Sequence, residues 1–273
     1  MRGWVAILAA AGCGFEHGQL EGMTGTGDSS VADDARTDGA KTIDGAIDAA
    51  TVVPACLDSD PNLAWCLEFD EPGLATAATA KDGSGHDHDP TLSNVNATSR
   101  NVPAGTSSQA ISLTINSSIS IAKPADFNVN DFTMMAWIYR TSSNELGVID
   151  TAFQYTLSIE PTNHTVLCAI ASSQGTAVEY WNGSQTAINE WDLIACTYDG
   201  AQTCTYSFRN GSTTSQKACT GRNSTTATNG STSSAGMWTD STRHFVGAID
   251  QVRLYSRALS TKEICVAGGL AGC

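Results

Sequence analysis

A chain of 273 residues can hold one large all-β domain with appendages, so its length does not demand two cores. Only 15% of the residues are charged and the formal net charge is −14 at pH 7. A nucleic-acid binder must gather Lys and Arg against phosphates, and no basic patch occurs here, which argues against that class of partner.

In chain order, the first thirteen residues carry one positive charge, a short apolar run and small residues before Cys13. This is the layout of a signal peptide, assigned to residues 1–12. Ala10-Ala11-Gly12-Cys13 resembles a bacterial lipobox, with Ala10 standing where Leu is commoner. The resemblance implies that Cys13 is lipidated and becomes the mature N-terminus, anchoring the secreted chain to a membrane. Gly14 is not the Asp that favours inner-membrane retention, so the outer membrane or cell surface is the expected location. Beyond the lipidated Cys13, residues 13–53 include Asp28, Asp33, Asp34, Asp38, Asp44 and Asp48 and almost no large apolar side chain. Such a stretch cannot offset its ordering entropy and reads as a disordered acidic linker.

The chain has nine cysteines, an odd count for a secreted protein. Setting Cys13 aside leaves eight that can all pair. Spacing selects Cys56 with Cys66, Cys168 with Cys196, Cys204 with Cys219, and Cys265 with Cys273. No paired C-x-x-C spacing favours zinc instead.

Residues 54–273 form the expected folded domain. Short β-branched and aromatic segments alternate with Gly, Asn, Asp and Ser turns, the pattern of an all-β sandwich or barrel. Strands are expected over 64–69, 109–115, 132–140, 155–159, 166–171, 177–181, 191–198, 203–209 and 244–255, with Trp65, Trp137 and Trp191 in the core. Asn182-Gly183 and Asn210-Gly211 mark hairpin turns, where both residue types tolerate positive φ. Cys204 and Cys219 flank the second turn almost symmetrically, so their bond would clamp that hairpin. Residues 221–235, nearly all Thr, Ser, Asn, Gly and Ala, read as a long surface loop. Ser260-Thr261-Lys262-Glu263 is a capping box, and a short closing helix should follow.

Several blocks resemble, in order, the landmarks of laminin-G-like jelly-roll domains of the concanavalin-A-like lectin and glucanase superfamily. They are Trp65-Cys66-Leu67-Glu68-Phe69-Asp70-Glu71, Asp82-Gly83-Ser84-Gly85, Phe132 to Ile138, Trp191 with Thr197-Tyr198-Asp199-Gly200, and Phe245 to Ser260. The resemblance spans residues 64–264 and implies two antiparallel sheets stacked as a jelly-roll sandwich, with a short C-terminal helix. The cysteines and the Ser/Thr-rich segment depart from the common pattern. The resemblance also implies a structural Ca²⁺, held by Asp250 with Asp82 and Asp70 as weaker helpers. Strict alternation would place Asp250 beside Val246, Ala248, Val252 and Leu254, where a charge needs a cation. A calcium ion, an ion pair with Arg140 or Arg253, or a bulge turning Asp250 away would each satisfy it.

His86-Asp87-His88-Asp89 has metal-ligand chemistry, but no further ligand of recognisable spacing is visible, so a solvated loop is expected. Jelly-roll glucanases carry Glu-x-Asp-x-x-Glu on one strand, and the pattern is absent here. Glu145 and Asp150 come nearest, five residues apart and therefore on opposite faces. Gly-x-Ser-x-Gly is absent too. The reading is of a non-enzymatic module for a glycan or envelope protein ligand, with Tyr180, Trp181, Asn182 and Trp238 as candidate contacts. A structural envelope component without a soluble ligand and an atypical glycan hydrolase are the alternatives.

Overall fold

The computed structural model describes Cys56 and residues 60–98, 109–143, 146–152, 154–171, 177–221, 230–239 and 243–273, except the side chains of Ala75 and residues 177–183. The expected signal peptide, Cys13, the expected linker and Glu145 lie outside the described residues, as do the side chains of Tyr180, Trp181 and Asn182. The chain divides into Met1–Ala46 and Ile47–Cys273, and every described residue belongs to the second unit.

The strands in chain order are β1 (Leu63–Leu67), β2 (Thr91–Ser93), β3 (Asn96–Thr98), β4 (Ala110–Leu113), β5 (Ser118–Ala122), β6 (Phe132–Arg140), β7 (Leu146–Thr151), β8 (Tyr155–Ile159), β9 (Thr165–Ala171), β10 (Ala177–Gln185), β11 (Trp191–Tyr198), β12 (Gln202–Arg209), β13 (Gln216–Gly221), β14 (Thr232–Ala235) and β15 (Gly247–Tyr255), followed by helix α1 (Thr261–Ala267). They form two antiparallel sheets. The first runs β13-β12-β11-β6-β15-β4-β3 with β1 also on β15, and the second runs β10-β9-β8-β7-β14-β5-β2. This is the two-sheet jelly-roll sandwich with one short C-terminal helix.

The central strand β6 shows how the sequence builds two buried layers. Phe132, Met134, Ala136 and Ile138 point between the sheets, where they meet Tyr155, Leu157, Ile170, Ile194 and Tyr198. The alternate residues Met135 and Trp137 point the other way, into a second apolar layer with Leu193, Tyr206, Phe208, Ile264 and Leu270. Burial on both faces explains why 132–138, apart from Thr133, is apolar and not alternating. Helix α1 seals the second layer: the Trp137 Nε1 donates to the Gly268 carbonyl at 3.0 Å. The capping box starts that helix, with Ser260 Oγ accepting from the Glu263 amide and the Glu263 carboxylate accepting from the Ser260 amide.

All four expected disulfides are present. Cys168 of β9 and Cys196 of β11 join the two sheets inside the core. Cys204 and Cys219 stand directly opposite each other on β12 and β13. Their hairpin turns at Asn210 and Gly211, both at positive φ (48° and 75°). Cys265 and Cys273 fasten α1 to the chain end.

Three expectations need correction. Asn182-Gly183 is no hairpin turn; it lies within β10, where the register to β9 shifts between Trp181 and Gln185. Residues 232–235 are not loop but strand β14, between β7 and β5. Small side chains suit that place: Ser233 Oγ bonds Thr151 Oγ1 (3.3 Å), and a Cβ on Gly230 would lie 1.7 Å from the Ala152 carbonyl oxygen. Finally, Asp250 does not share a face with Val252 and Leu254. A bulge between Asp250 and Arg253, with Gln251 at φ 47°, breaks the alternation. Val252 and Leu254 enter the inter-sheet core, while Asp250 stands opposite Trp137 and Arg253 opposite Met135, in register with the second layer.

Candidate ligand cleft

A cleft of about 800 Å³ is lined by Asn94, Val95, Asn96, Thr114, Ile115, Asn116 and His244. Two adjacent turns build most of it. Asn94 and Val95 link β2 to β3, and Thr114 to Ser117 link β4 to β5. Asn94 adopts φ 51°, a conformation its short amide tolerates. Its Nδ2 donates to the Asn116 carbonyl at 3.0 Å, and buried Ser117 Oγ donates to the Asn94 carbonyl. The Thr114 amide donates to Ser117 Oγ at 2.9 Å, and the Asn116 amide to Thr114 Oγ1 at 3.3 Å. The turns are therefore locked together, and Ile115 remains 66% exposed at the cleft.

The third wall comes from the hairpin between β14 and β15. Met237 bridges His244, and the Trp238 amide donates to the Arg243 carbonyl at 2.9 Å. Gly236, at φ +74°, brings this hairpin close to Leu113 of β4, where a Cβ would lie 2.3 Å from a Leu113 methyl. Trp238 packs against Gly147, where a Cβ would lie 2.4 Å from Trp238 Cδ1, and the Arg243 guanidinium sits 3.6 Å over its ring. Asp150 pins the same hairpin: its Oδ2 accepts from the Thr239 amide (2.8 Å) and hydroxyl (2.6 Å), and its Oδ1 accepts from Thr156. Of the four residues nominated for ligand contact, Trp238 is thus placed on the hairpin that supplies His244. Backbone register sets Tyr180 opposite Cys168 and Trp181 opposite Leu167, on β10. The cleft residues Asn94, Asn96, Thr114, Ile115, Asn116 and His244 escaped the sequence reading; the only available signal was a cluster of Asn and Thr at two turns, which turn chemistry alone explains.

The three acidic residues nominated for calcium do separate work. Asp82 Oδ1 accepts from the Cys66 and Ser84 amides (2.9 and 3.0 Å), and its Oδ2 from the Ser84 hydroxyl (2.6 Å) and the His88 amide (3.0 Å). Asp70 Oδ1 accepts from the Gln109 amide at 3.1 Å, and Asp250 Oδ1 from its neighbour Gln251 at 2.8 Å. Among the described residues they do not converge: the groups with ligand atoms within 4.8 Å of one another are Cys56, Cys66 and Glu68, whose thiols are spent in a disulfide, and His86, His88 and Asp126.

Buried charge occurs on both faces of the first sheet. Arg253, fully buried, reaches Glu68 Oε1 at 3.4 Å, and burial pushes the Glu68 carboxyl up despite that cation. Asp192 accepts from the Ala187 amide at 2.7 Å, and burial pushes it up to about 6 against the pull of Arg209 and Arg140.

A family model, described as the concanavalin A-like lectin/glucanases superfamily and of laminin G type, matches residues 113–265, more than half of the chain. The chain belongs to this superfamily. No curated protein sequence matches the chain. Among solved structures, this superfamily member is similar to domain 4 of AbnA, an extracellular arabinanase of glycoside hydrolase family 43 from Geobacillus stearothermophilus solved with arabinotriose, at 16% identity and a TM-score of 0.53; the match covers 76% of this chain and 98% of that one. The binding domain of Paraclostridial Mosquitocidal Protein 1 matches at 17% identity with a TM-score of 0.54, and that of botulinum neurotoxin serotype G at 16% and 0.54. Each toxin match covers 76% of this chain, which spans about half of those domains (52% and 50%). At these identities the likeness is one of fold.

Proposed function

We propose that this jelly roll is a non-catalytic recognition module that binds a neutral glycan in the cleft of Asn94, Asn96, Thr114, Ile115, Asn116 and His244. The observation that carries the reading is chemical. Side-chain amides and hydroxyls on two mutually locked turns surround an exposed aliphatic side chain, a mixture suited to sugar hydroxyls beside the apolar C–H face of the ring. Arabinotriose bound to a fold relative supports carbohydrate as the ligand class. The binding domains among the toxins support recognition without turnover. Asp150 is committed to Thr156 and Thr239 and holds a hairpin in place, a structural use of a carboxylate and not an acid/base one.

The reading places the module at the cell envelope. Four disulfides suit an oxidising compartment. Cys13 would carry the lipid anchor, and mass spectrometry of the N-terminal peptide tests that part separately. For the cleft, the purified chain is applied to arrays of plant and bacterial glycans and to envelope polysaccharide, beside Asn116→Ala and Ile115→Asp variants. Saturable binding weakened at least about tenfold by either substitution is expected. Binding indifferent to both variants would move the site elsewhere, and no binding at all would favour a structural envelope role. Turnover of the bound glycan would return the hydrolase alternative.

A further inference from the structure

The His86-Asp87-His88-Asp89 segment lacks, in sequence, a ligand arriving from elsewhere. The fold supplies one. Asp126, in the 3-10 turn Ala125–Phe127 ahead of β6, brings its Oδ2 to 2.8 Å from His88 Nε2 and 3.4 Å from His86 Nδ1. The three ligand atoms all lie within 4.8 Å of one another. We propose that His86, His88 and Asp126 bind a borderline divalent transition metal ion of the zinc class, at a site separate from the cleft and independent of its ligand.

Geometry and chemistry both favour this occupant. Around a tetrahedral ion with bonds of about 2.0–2.1 Å, ligand atoms stand about 3.4 Å apart, close to the 3.4 Å approach of His86 Nδ1 to Asp126 and longer than the 2.8 Å approach of His88 Nε2. One imidazole–carboxylate hydrogen bond accounts for the His88 approach. It does not account for a second imidazole aimed at the same oxygen, its ring stacked on the first at 5.6 Å and 20°. Two imidazoles and one carboxylate suit zinc, copper or nickel, whereas calcium asks for six or more oxygens. The neighbouring acidic residues are engaged otherwise: Asp82 by four donors, and Asp89 by Lys81 and the Asp82 amide.

The ligands are held by buried structure. His88 donates its amide to Asp82 at 3.0 Å, and its carbonyl accepts from Trp65 Nε1 at 2.9 Å. Phe127, fully buried and 5.7 Å from Trp65, presents its ring edge-on to His88 at 5.3 Å. Asp87, at φ 58°, turns the chain between the two histidines. The Phe127 and Asn128 amides close the turn that carries Asp126, donating to the Pro124 and Ala125 carbonyls. Such positioning reduces the ordering that binding would otherwise require. Meanwhile the side chains of His86, His88 and Asp126 are 44%, 17% and 36% exposed, so an ion can enter and keep an open coordination position.

The test is calorimetric titration of the full, disulfide-bonded chain with Zn²⁺ alone and with Ca²⁺ alone, together with visible absorption after Co²⁺ loading. One equivalent of zinc per chain, not displaced by calcium, is expected. His88→Ala and Asp126→Asn should each weaken it at least about tenfold, and intense Co²⁺ bands of tetrahedral type should vanish with them. Affinity should fall at lower pH, because the imidazoles must be neutral to hold the ion. If His88→Ala disturbs folding, His86→Ala, at the more exposed ring, decides. Absence of zinc binding at micromolar concentration, or stoichiometric binding unchanged in folded His86→Ala protein, overturns the proposal.

Discussion

The two buried layers on either side of the first sheet are built from the same strands by different means. Between the sheets, side chains from both sheets interdigitate, and Cys168–Cys196 ties them across the core. On the other side there is no third sheet among the described residues. A seven-residue helix, the chain end and Cys265–Cys273 cover Trp137, Leu193, Tyr206 and Phe208. A helix this short is not stable alone, so its position depends on the cap at Ser260, the bond from Trp137 and the disulfide. The comparison teaches that the second layer is a full core, although its lid is small and locally fastened.

The strongest way to break that comparison is truncation in each layer. Trp137→Ala and Phe132→Ala are each expected to cost about 3–5 kcal/mol in denaturant unfolding. A cost under about 1 kcal/mol for Trp137→Ala would reduce the second layer to a surface patch, and Trp137→Phe, which removes the Gly268 bond and part of the buried ring, should cost at least about 1 kcal/mol. Next come the sulfur links. Replacing Cys168 and Cys196 by Ser, a separation of 28 residues, should cost about 3–4 kcal/mol, against about 2–3 kcal/mol for Cys265 and Cys273, separated by 8. Equal losses would mean that loop closure is not what distinguishes them.

A pH profile sharpens the same contrast, because Asp192, opposite Ile138, lies on the inter-sheet face of the first sheet. Its carboxyl, pushed up to about 6 by burial, holds a proton more tightly in the folded chain than in the unfolded one. The resulting stabilisation is fully present below the unfolded value near 3.9 and is lost as pH rises through about 6. It amounts to at most about 3 kcal/mol, and Asp192→Asn should flatten the wild-type slope between pH 4 and 7 in urea midpoints. The smallest effect is expected from Ser260→Ala, about 1 kcal/mol from loss of the helix cap.

Much of this was legible in sequence because it rests on local rules. The capping box, the Asn210-Gly211 turn and the facing cysteines Cys204 and Cys219 are short-range patterns, and each is present as read. Strand β14 was not legible, since Thr232 to Ala235 carry no apolar signal and are held by neighbours distant in sequence. Asp250 misled because alternation assumes an unbroken strand, and the bulge at Gln251 reverses it. The cleft was hidden for a related reason: Asn94 and Asn116 read as ordinary turn residues until the sheets bring their turns together. Asp126, likewise, meets His86 and His88 only through the fold, 38 residues from His88.

Amide NMR during titration with an oligosaccharide drawn from the array reports most directly on recognition by the paired turns. Saturable shifts confined to Asn94, Asn96, Thr114 to Ser117 and the His244 hairpin are predicted. Shifts mapping to α1, or a spectrum unmoved while binding is registered by calorimetry, would contradict it.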